Sequence, residues 1–134
     1  MIVSTRGRYA LRVMIDLAEQ KKDSYVPLKD IVKRQQLSLK YLETIMTMLS
    51  KEGLVQGAHG KGGGYRLSKK PEEYKISDIL IITEKSIVPA SCAECVGENC
   101  PRKNDCRTLP LWEKVNTAVK ECFDGTTIAD LMKE

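Results

Sequence analysis

The sequence predicts a mostly helical chain with a small β wing, in which a winged helix-turn-helix domain is followed by a long C-terminal helix. Three observations predict this fold: two short helical segments joined by about four residues, a glycine-rich connection between two strand-like segments, and an amphipathic stretch near the C-terminus. The length of 134 residues suits one domain, and a hydrophobic content of 42% is enough to form a core.

The first two helices are predicted from caps and apolar spacing. Ser4 or Thr5 can cap the first helix. Its apolar residues recur every three or four positions and are Ala10, Leu11, Val13, Met14, Leu17 and Ala18. Three arginines fall outside that stripe, namely Arg6, Arg8 and Arg12. A short second helix follows Pro27, and its apolar side consists of Leu28, Ile31 and Val32.

The second helix of the helix-turn-helix pair is predicted between Ser38 and about Glu52. Ser38 is a good N-cap, and Gly53 is a typical C-terminal glycine. The buried stripe is expected to contain Leu39, Leu42, Met46 and Leu49. Polar residues then occupy the outer side, as expected of a helix that enters the major groove of DNA.

A hairpin, or wing, is predicted from two strand candidates, residues 54–56 and 65–67. Five of the nine glycines lie between them, in residues 57–64, where they allow tight turns. A phosphate-binding loop is excluded because Gly62, rather than Ser or Thr, follows Gly60 and Lys61. A dinucleotide fingerprint also fails, since Tyr65 stands where its third glycine is required.

The remaining elements are predicted from caps and breakers. Ser77 is expected to cap a short helix over residues 78–84, and Pro110 suits the first turn of a long helix. The apolar side of the long helix consists of Trp112, Val115, Val119, Cys122 and Phe123. Cys122 is therefore expected in the core. Thr126 or Thr127 can cap a last short helix that carries Ile128, Leu131 and Met132.

Charge is divided unevenly along the chain. Residues 1–70 contain 14 Lys and Arg against 6 Asp and Glu, a net charge of +8, and residues 71–134 contain 8 against 12, a net charge of −4. The basic half suggests a polyanion partner. Lys40 can contact guanine or phosphate, and Glu43 can accept a hydrogen bond from cytosine N4. The candidate DNA-contacting residues are Thr5, Arg6, Arg8, Ser38, Lys40, Tyr41, Glu43, Lys51, His59 and Lys61.

Four cysteines lie within 15 residues in the pattern C-x2-C-x4-C-x5-C, and they are Cys92, Cys95, Cys100 and Cys106. Zinc is one candidate ligand, although its sites usually contain two C-x2-C pairs. An iron–sulfur cluster accepts irregular spacings on a loop and is equally compatible. Disulfides suit a secreted chain. No apolar leader is found, and the longest apolar run is the four residues 79–82, so we expect a cytoplasmic protein without membrane contact.

Five segments together resemble the Rrf-type bacterial transcription regulators: residues 4–12 (STRGRYALR), 39–43 (LKYLE), 60–65 (GKGGGY), 109–112 (LPLW) and 127–131 (TIADL). The resemblance implies a homodimer that binds a pseudo-palindromic double-stranded DNA operator, with the long helix as dimerisation helix. It also implies a [2Fe-2S] or [4Fe-4S] cluster on the cysteines, which senses iron–sulfur status, redox state or nitric oxide and controls the affinity for the operator. The expected organisation is a DNA-binding domain at residues 1–85, a cluster-binding loop at 86–107, and the dimerisation and last short helices at 108–134.

The sequence departs from that family at the non-cysteine ligands of the cluster. Arg107 stands next to the last loop cysteine, where some members have a histidine, and Arg8 and Arg12 stand where others offer a carboxylate or histidine. The only histidine, His59, lies in the wing. We therefore expect all four loop cysteines to be ligands.

Two alternatives to this cluster sensor stay open. One is a repressor that binds zinc or forms a thiol–disulfide pair through Cys92 and Cys95. The other is a cluster carrier, which would not need the basic half of the chain. No motif for nucleophilic or general acid–base chemistry is present, so we expect no enzyme activity.

Overall fold

The computed structural model describes residues 3–84, 86–88 and 100–133. The helices are α1 (Thr5–Ala18), α2 (Leu28–Gln35), α3 (Leu39–Lys51), α4 (Ile76–Thr83), α5 (Leu109–Gly125) and α6 (Ile128–Leu131). The strands are β1 (Val55–Ala58) and β2 (Gly64–Leu67), and a 3-10 turn occupies Pro71–Glu73. The predicted mostly helical fold with a small β wing is confirmed. Within the described ranges, no helix is both long and apolar enough to cross a bilayer.

Helix α1 is the central element of the core. The Ser4 hydroxyl caps it by accepting a hydrogen bond from the Gly7 backbone N–H at 3.0 Å, so Ser4 rather than Thr5 is the cap. Its buried apolar residues are Ala10, Val13, Met14 and Leu17. The three arginines predicted to lie off this stripe are exposed.

Helices α2 and α3 form the predicted helix-turn-helix pair. Gln36 ends α2 in the left-handed region, with φ of 54°, and Ser38 caps α3 by accepting from the Tyr41 N–H at 3.1 Å. Helix α3 buries Leu42, Ile45, Met46 and Leu49. The prediction for Leu39 was wrong: its side chain is 49% exposed. Leu39 is the first residue of α3 and lies at the edge of its buried side, where the core ends.

The wing is an antiparallel hairpin in which Val55 pairs with Leu67 and Ala58 pairs with Gly64. A third segment joins it, because Val26 and Tyr65 exchange backbone hydrogen bonds of 2.8 and 2.9 Å. Gly64 has a φ of +145°, and a Cβ atom there would overlap the Val26 backbone. Glycine is therefore required at Gly64 for the close approach of these segments.

Tyr74 connects the base of the wing to the core. Its buried hydroxyl donates to the Leu54 carbonyl at 2.7 Å and accepts from the Ser68 and Lys69 N–H groups, both at 2.9 Å. Burial raises the pKa of the Tyr74 phenol, so the neutral, donating form is favoured. The sequence alone did not indicate this role.

Helix α4 begins two residues earlier than predicted, at Ile76, and Ser77 is not its cap. The cap position is Lys75, whose backbone N–H donates to the Asp78 carboxylate at 3.0 Å. The Asp78 carboxylate, three residues after the cap position, thus satisfies the N–H of the cap residue, as the acidic partner of a capping box does.

The C-terminal region packs back onto the preceding elements and the core. Lys75 and Thr127 form an antiparallel bridge, and the Ile128 N–H donates to the Tyr74 carbonyl at 3.0 Å. Thr127, rather than Thr126, caps α6, and Ile128 is completely buried in the core. Helix α5 contains no buried residue, and Cys122 is exposed, so the prediction that Cys122 belongs to the core was wrong.

Candidate nucleic-acid interface and cysteine segment

The outer side of α3 is polar and exposed. Lys40, Glu43, Thr44, Thr47 and Lys51 all lie on it. The Thr44 hydroxyl donates to the Lys40 carbonyl at 3.1 Å, and the Thr47 hydroxyl donates to the Glu43 carbonyl at 2.8 Å. The two hydroxyl protons are thus used within the helix, while the Lys40 ammonium and the Glu43 carboxylate stay open to a partner.

A buried charge fixes α2 against α1 behind this surface. Asp16 is 3% exposed and accepts two hydrogen bonds from the Arg34 guanidinium, at 2.7 and 3.0 Å. The Gln35 side-chain amide donates to the same carboxylate at 2.8 Å. The hydrogen bond to Asp16 is the main cause that raises the pKa of Arg34. A buried carboxylate needs such partners, and these three bonds orient the end of α2.

The same network continues towards α3. The Arg12 guanidinium donates to the Gln35 carbonyl at 2.8 Å and to its side-chain oxygen at 3.1 Å, and it lies 4.9 Å from the centre of the Tyr9 ring. The Tyr9 ring meets the Tyr41 ring edge to face, with 5.8 Å between centroids. Arg12 therefore holds the turn before α3 rather than serving as a free surface cation.

Sequence analysis did not identify this network. The available signal was an acidic residue at position 16 among the apolar residues of α1, next to Leu17. A charge at such a position is buried only with a partner. The identity of the partner depends on the crossing of α1 and α2, which local sequence does not specify.

The first turn of α1 brings together two of the predicted DNA-contacting residues. The Arg8 guanidinium donates to the Thr5 hydroxyl at 3.1 Å, and both side chains are exposed. Arg6 is also exposed, and one of its nitrogens donates to the Thr83 carbonyl at 3.4 Å. Arg6 is thus partly engaged with the end of α4.

The predicted wing residues His59 and Lys61 lie in the connection between β1 and β2 and are exposed. The only salt bridge between described residues joins Arg34 to Asp16. In that part of the chain, the cations of the outer surface, Arg8, Lys40, Lys51 and Lys61, therefore have no carboxylate partner.

The cysteine segment, residues 86–107, is described in part. Cys92 and Cys95 lie outside the described residues, whereas Cys100 and Cys106 are free thiols, the first exposed and the second half-buried. The Thr108 hydroxyl lies 3.4 Å from the Cys106 sulfur, and its hydrogen bond, with the N–H groups of Thr108 and Leu109, lowers the pKa of that thiol.

No group of three or more metal-ligating side chains occurs within the described ranges. The described thiols nevertheless suit a thiolate-bound centre. Both are accessible, neither is used in a disulfide, and the Cys106 thiolate is favoured, which is the form that ligates metal.

A capped second helix with an open polar side, a glycine-bearing wing and unpaired cations define a winged helix-turn-helix protein of the DNA-binding class. The chain belongs to the Rrf2 family, whose family model, described as an iron-dependent transcriptional regulator, matches residues 3–134. The resemblance seen in the sequence is confirmed, and the related proteins are regulators rather than enzymes.

Three relatives illustrate the similarity. The transcriptional regulator IscR of Aliivibrio salmonicida is 36% identical over 133 residues, which cover 98% of this chain and 77% of the relative. The solved structure of CymR, the global cysteine regulator of B. subtilis, has a TM-score of 0.80 at 36% identity and covers 98% and 95% of the two chains. The structure of T. potens IscR has a TM-score of 0.76 at 35% identity, with 98% and 85% covered.

Proposed function

We propose that this Rrf2-family regulator binds a pseudo-palindromic operator as a homodimer and that an iron–sulfur cluster on Cys92, Cys95, Cys100 and Cys106 controls its operator affinity. The observation that carries the DNA-binding part is the exposed polar side of α3, which the Asp16 network holds in a fixed orientation. A helix presented in this way can enter the major groove with its N-terminal half.

The residues of α3 have distinct roles in this proposal. Lys40 contacts guanine or a phosphate, and Glu43 accepts from cytosine N4. The Thr44 and Thr47 hydroxyls donate within the helix, so their methyl groups are left for thymine methyl groups. Ser38 accepts from the Tyr41 N–H, and its own hydroxyl proton remains available to a phosphate oxygen.

The other candidates position the protein on the phosphates. Arg8 and Thr5 act as a pair, Arg6 contributes its remaining N–H groups, and Lys51, His59 and Lys61 extend the surface into the wing. Tyr41 contributes its hydroxyl while its ring stays packed on Tyr9. Because these contacts neutralise phosphates, the binding constant falls steeply with salt concentration.

The homodimer is supported by the apolar side of α5. Trp112, Val115 and Val119 are half-exposed at helical spacing and do not pack against the core, and Leu111 is 51% exposed. A second copy of α5 is the natural cover for this surface, because two identical stripes can bury one another across a two-fold axis. The two α3 helices then read two half-sites about one helical turn apart.

The thiols of the cysteine segment would hold the cluster, which when bound supplies a centre that reacts with oxidants and nitric oxide. The chain itself offers a direct connection between this segment and both other parts, since residues 86–107 follow α4 and precede α5. Two states of the segment with different contacts to these helices have different DNA affinities, which is the physical requirement for regulation.

The test is anaerobic purification of the full chain, followed by visible absorption and by iron, sulfide and zinc analysis. We expect a coloured protein with matched iron and sulfide, and a Cys95→Ala variant with a changed spectrum. An unchanged spectrum would overturn the assignment of Cys95 as a ligand. Equal affinity of the loaded and metal-free forms for every promoter fragment would overturn the sensor function.

A second candidate function is a thiol–disulfide or zinc-stabilised repressor. The likeness to CymR structures favours this candidate. One of these structures, from Staphylococcus aureus at 30% identity, is of an oxidized form. The same metal analysis separates the two functions. A colourless protein with zinc, or one whose DNA affinity changes with thiol oxidation alone, supports the second candidate.

A further inference from the structure

The end of α4 is fastened to the start of α1 through one carboxylate. Glu84, the residue after α4, accepts a hydrogen bond from the Ser4 backbone N–H at 2.7 Å and another from the Ser4 hydroxyl at 2.8 Å. The same hydroxyl accepts from the Gly7 N–H at 3.0 Å. The Glu84 carboxylate is therefore joined, through the N-cap hydroxyl, to the first turn of α1.

Two further contacts tighten this junction. Arg6 donates to the Thr83 carbonyl at 3.4 Å. A Cβ atom on Gly7 would overlap the Glu84 carboxylate and lie 3.1 Å from the Thr83 hydroxyl, so this close approach depends on glycine. A negative carboxylate at the N-terminus of a helix is also favoured by the helix dipole.

The position of Glu84 in the chain gives the junction its significance. On one side, the cysteine segment follows Glu84 almost at once, and Cys92 is eight residues further on. On the other side, the turn that Glu84 holds carries Thr5, Arg6 and Arg8, the candidate phosphate contacts of α1. One side chain thus lies between the segment with the cysteines and a DNA-facing surface.

We propose that Glu84 is a positioning residue for DNA contact, which holds the first turn of α1 in its DNA-binding arrangement and links that turn to the cysteine segment. This proposal rests on the proposed function of the chain as a DNA-binding regulator. A displacement of the start of the cysteine segment moves the carboxylate, releases Ser4 and lets the first turn of α1 fray. The phosphate contacts of that turn are then lost, because their backbone no longer has a fixed position.

The test compares three variants of the full chain in the metal-free, reduced form. Glu84→Ala removes the carboxylate oxygen that accepts both hydrogen bonds from Ser4. Glu84→Gln keeps an oxygen that can accept from the Ser4 N–H and hydroxyl, and serves as the conservative rescue. Glu72→Ala, at an exposed position of the 3-10 turn, is the control for loss of one negative charge.

The first readout is amide hydrogen exchange at Ser4 and Gly7, and the second is affinity for a duplex selected in vitro with the wild-type chain. For Glu84→Ala we expect faster exchange at both amides and an affinity about tenfold lower, equivalent to ~1.4 kcal/mol. Glu84→Gln and Glu72→Ala should stay within about twofold of wild type in both readouts. A structural role alone would accelerate exchange without changing DNA affinity, and that result overturns the proposal.

The link to the cysteine segment is tested by the ratio between the duplex affinities of the cluster-loaded and metal-free forms. We expect Glu84→Ala to move this ratio towards one, and an unchanged ratio would overturn the link. Failure of the proposed function is detected separately, in the wild-type chain. If the cluster-loaded and metal-free wild-type forms bind the duplex equally well, cluster control is contradicted and the link to the cysteine segment is overturned with it. The positioning role of Glu84 is still decided by the variants in the metal-free form.

Discussion

Helices α3 and α5 are both amphipathic, yet they differ in how far their apolar sides are buried. Helix α3 has 13 residues and buries four apolar side chains, none of which has any exposed area. Helix α5 has 17 residues and buries none. Among the described residues, the longer helix is therefore the one whose apolar side is less completely covered.

This difference separates two uses of an apolar stripe. In α3, the stripe fixes the helix so that its polar side is presented outward, as reading DNA requires. In α5, the stripe stays half-buried, and the proposed interface with a second copy would cover the remainder. Substitutions in α3 should therefore change stability or DNA affinity, whereas substitutions on the apolar side of α5 should change dimerisation.

The largest effect is expected for Leu42→Ala in α3. Leu42 is completely buried, so the variant loses apolar contacts and leaves a cavity that costs about 2–5 kcal/mol in the free energy of unfolding. Chemical denaturation of the full chain measures it. The matched control is Leu39→Ala on the same helix, which should cost less than ~1 kcal/mol because Leu39 is 49% exposed. Equal losses for the two leucines would contradict the assigned sides of α3.

The next effect is expected for Val119→Glu in α5. A carboxylate on the apolar stripe would have to be buried between the two copies of the proposed homodimer, which is unfavourable. We expect the dimer dissociation constant to rise on the order of 100-fold, or ~2.7 kcal/mol. Sedimentation over a concentration series measures this rise.

Thr117→Glu is the control for the α5 interface. It adds the same charge to α5 at an exposed position away from the stripe, and it should leave the dimer unchanged. If Val119→Glu and Thr117→Glu weaken the dimer equally, the interface does not lie on the stripe.

The smallest effect is expected for Lys40→Ala on the polar side of α3. The loss of one phosphate or guanine contact should lower operator affinity about fivefold and, for a phosphate contact, reduce the slope of log K against log salt by about 1. Fluorescence anisotropy at several salt concentrations measures both. Lys114→Ala, which removes an exposed lysine from α5, should change neither. A matching loss in Lys114→Ala would show that the effect is one of overall charge.

The helix-turn-helix and the wing could be predicted because their signals are local. Ser38 and Gly53 mark the limits of α3, and the glycines of the wing allow its turn. The described limits agree with the prediction within a few residues, and the wing strands extend one or two residues beyond it. Caps and periodicity depend only on neighbouring residues, so one sequence is sufficient to find them.

The features that the sequence did not predict correctly depend on contacts between residues distant in the chain. Asp16 is buried only because Arg34 and Gln35 reach it across a helix crossing. Leu39 fits the periodicity of the buried stripe, but the core ends before it. Cys122 lies on a helix that buries no residue in the described part of the chain, so helical spacing alone could not place it correctly.

The return of the C-terminal region also determines when the protein can fold. Ile128 completes a core whose other fully buried apolar residues lie between positions 10 and 80, and Tyr74 and Ile76 form backbone hydrogen bonds with residues 128 and 126. A ribosome that has synthesised the DNA-facing elements has therefore not yet supplied all of their hydrophobic core. Folding of these elements is therefore coupled to synthesis of the chain through Ile128, and a product that ends before this residue lacks part of the core.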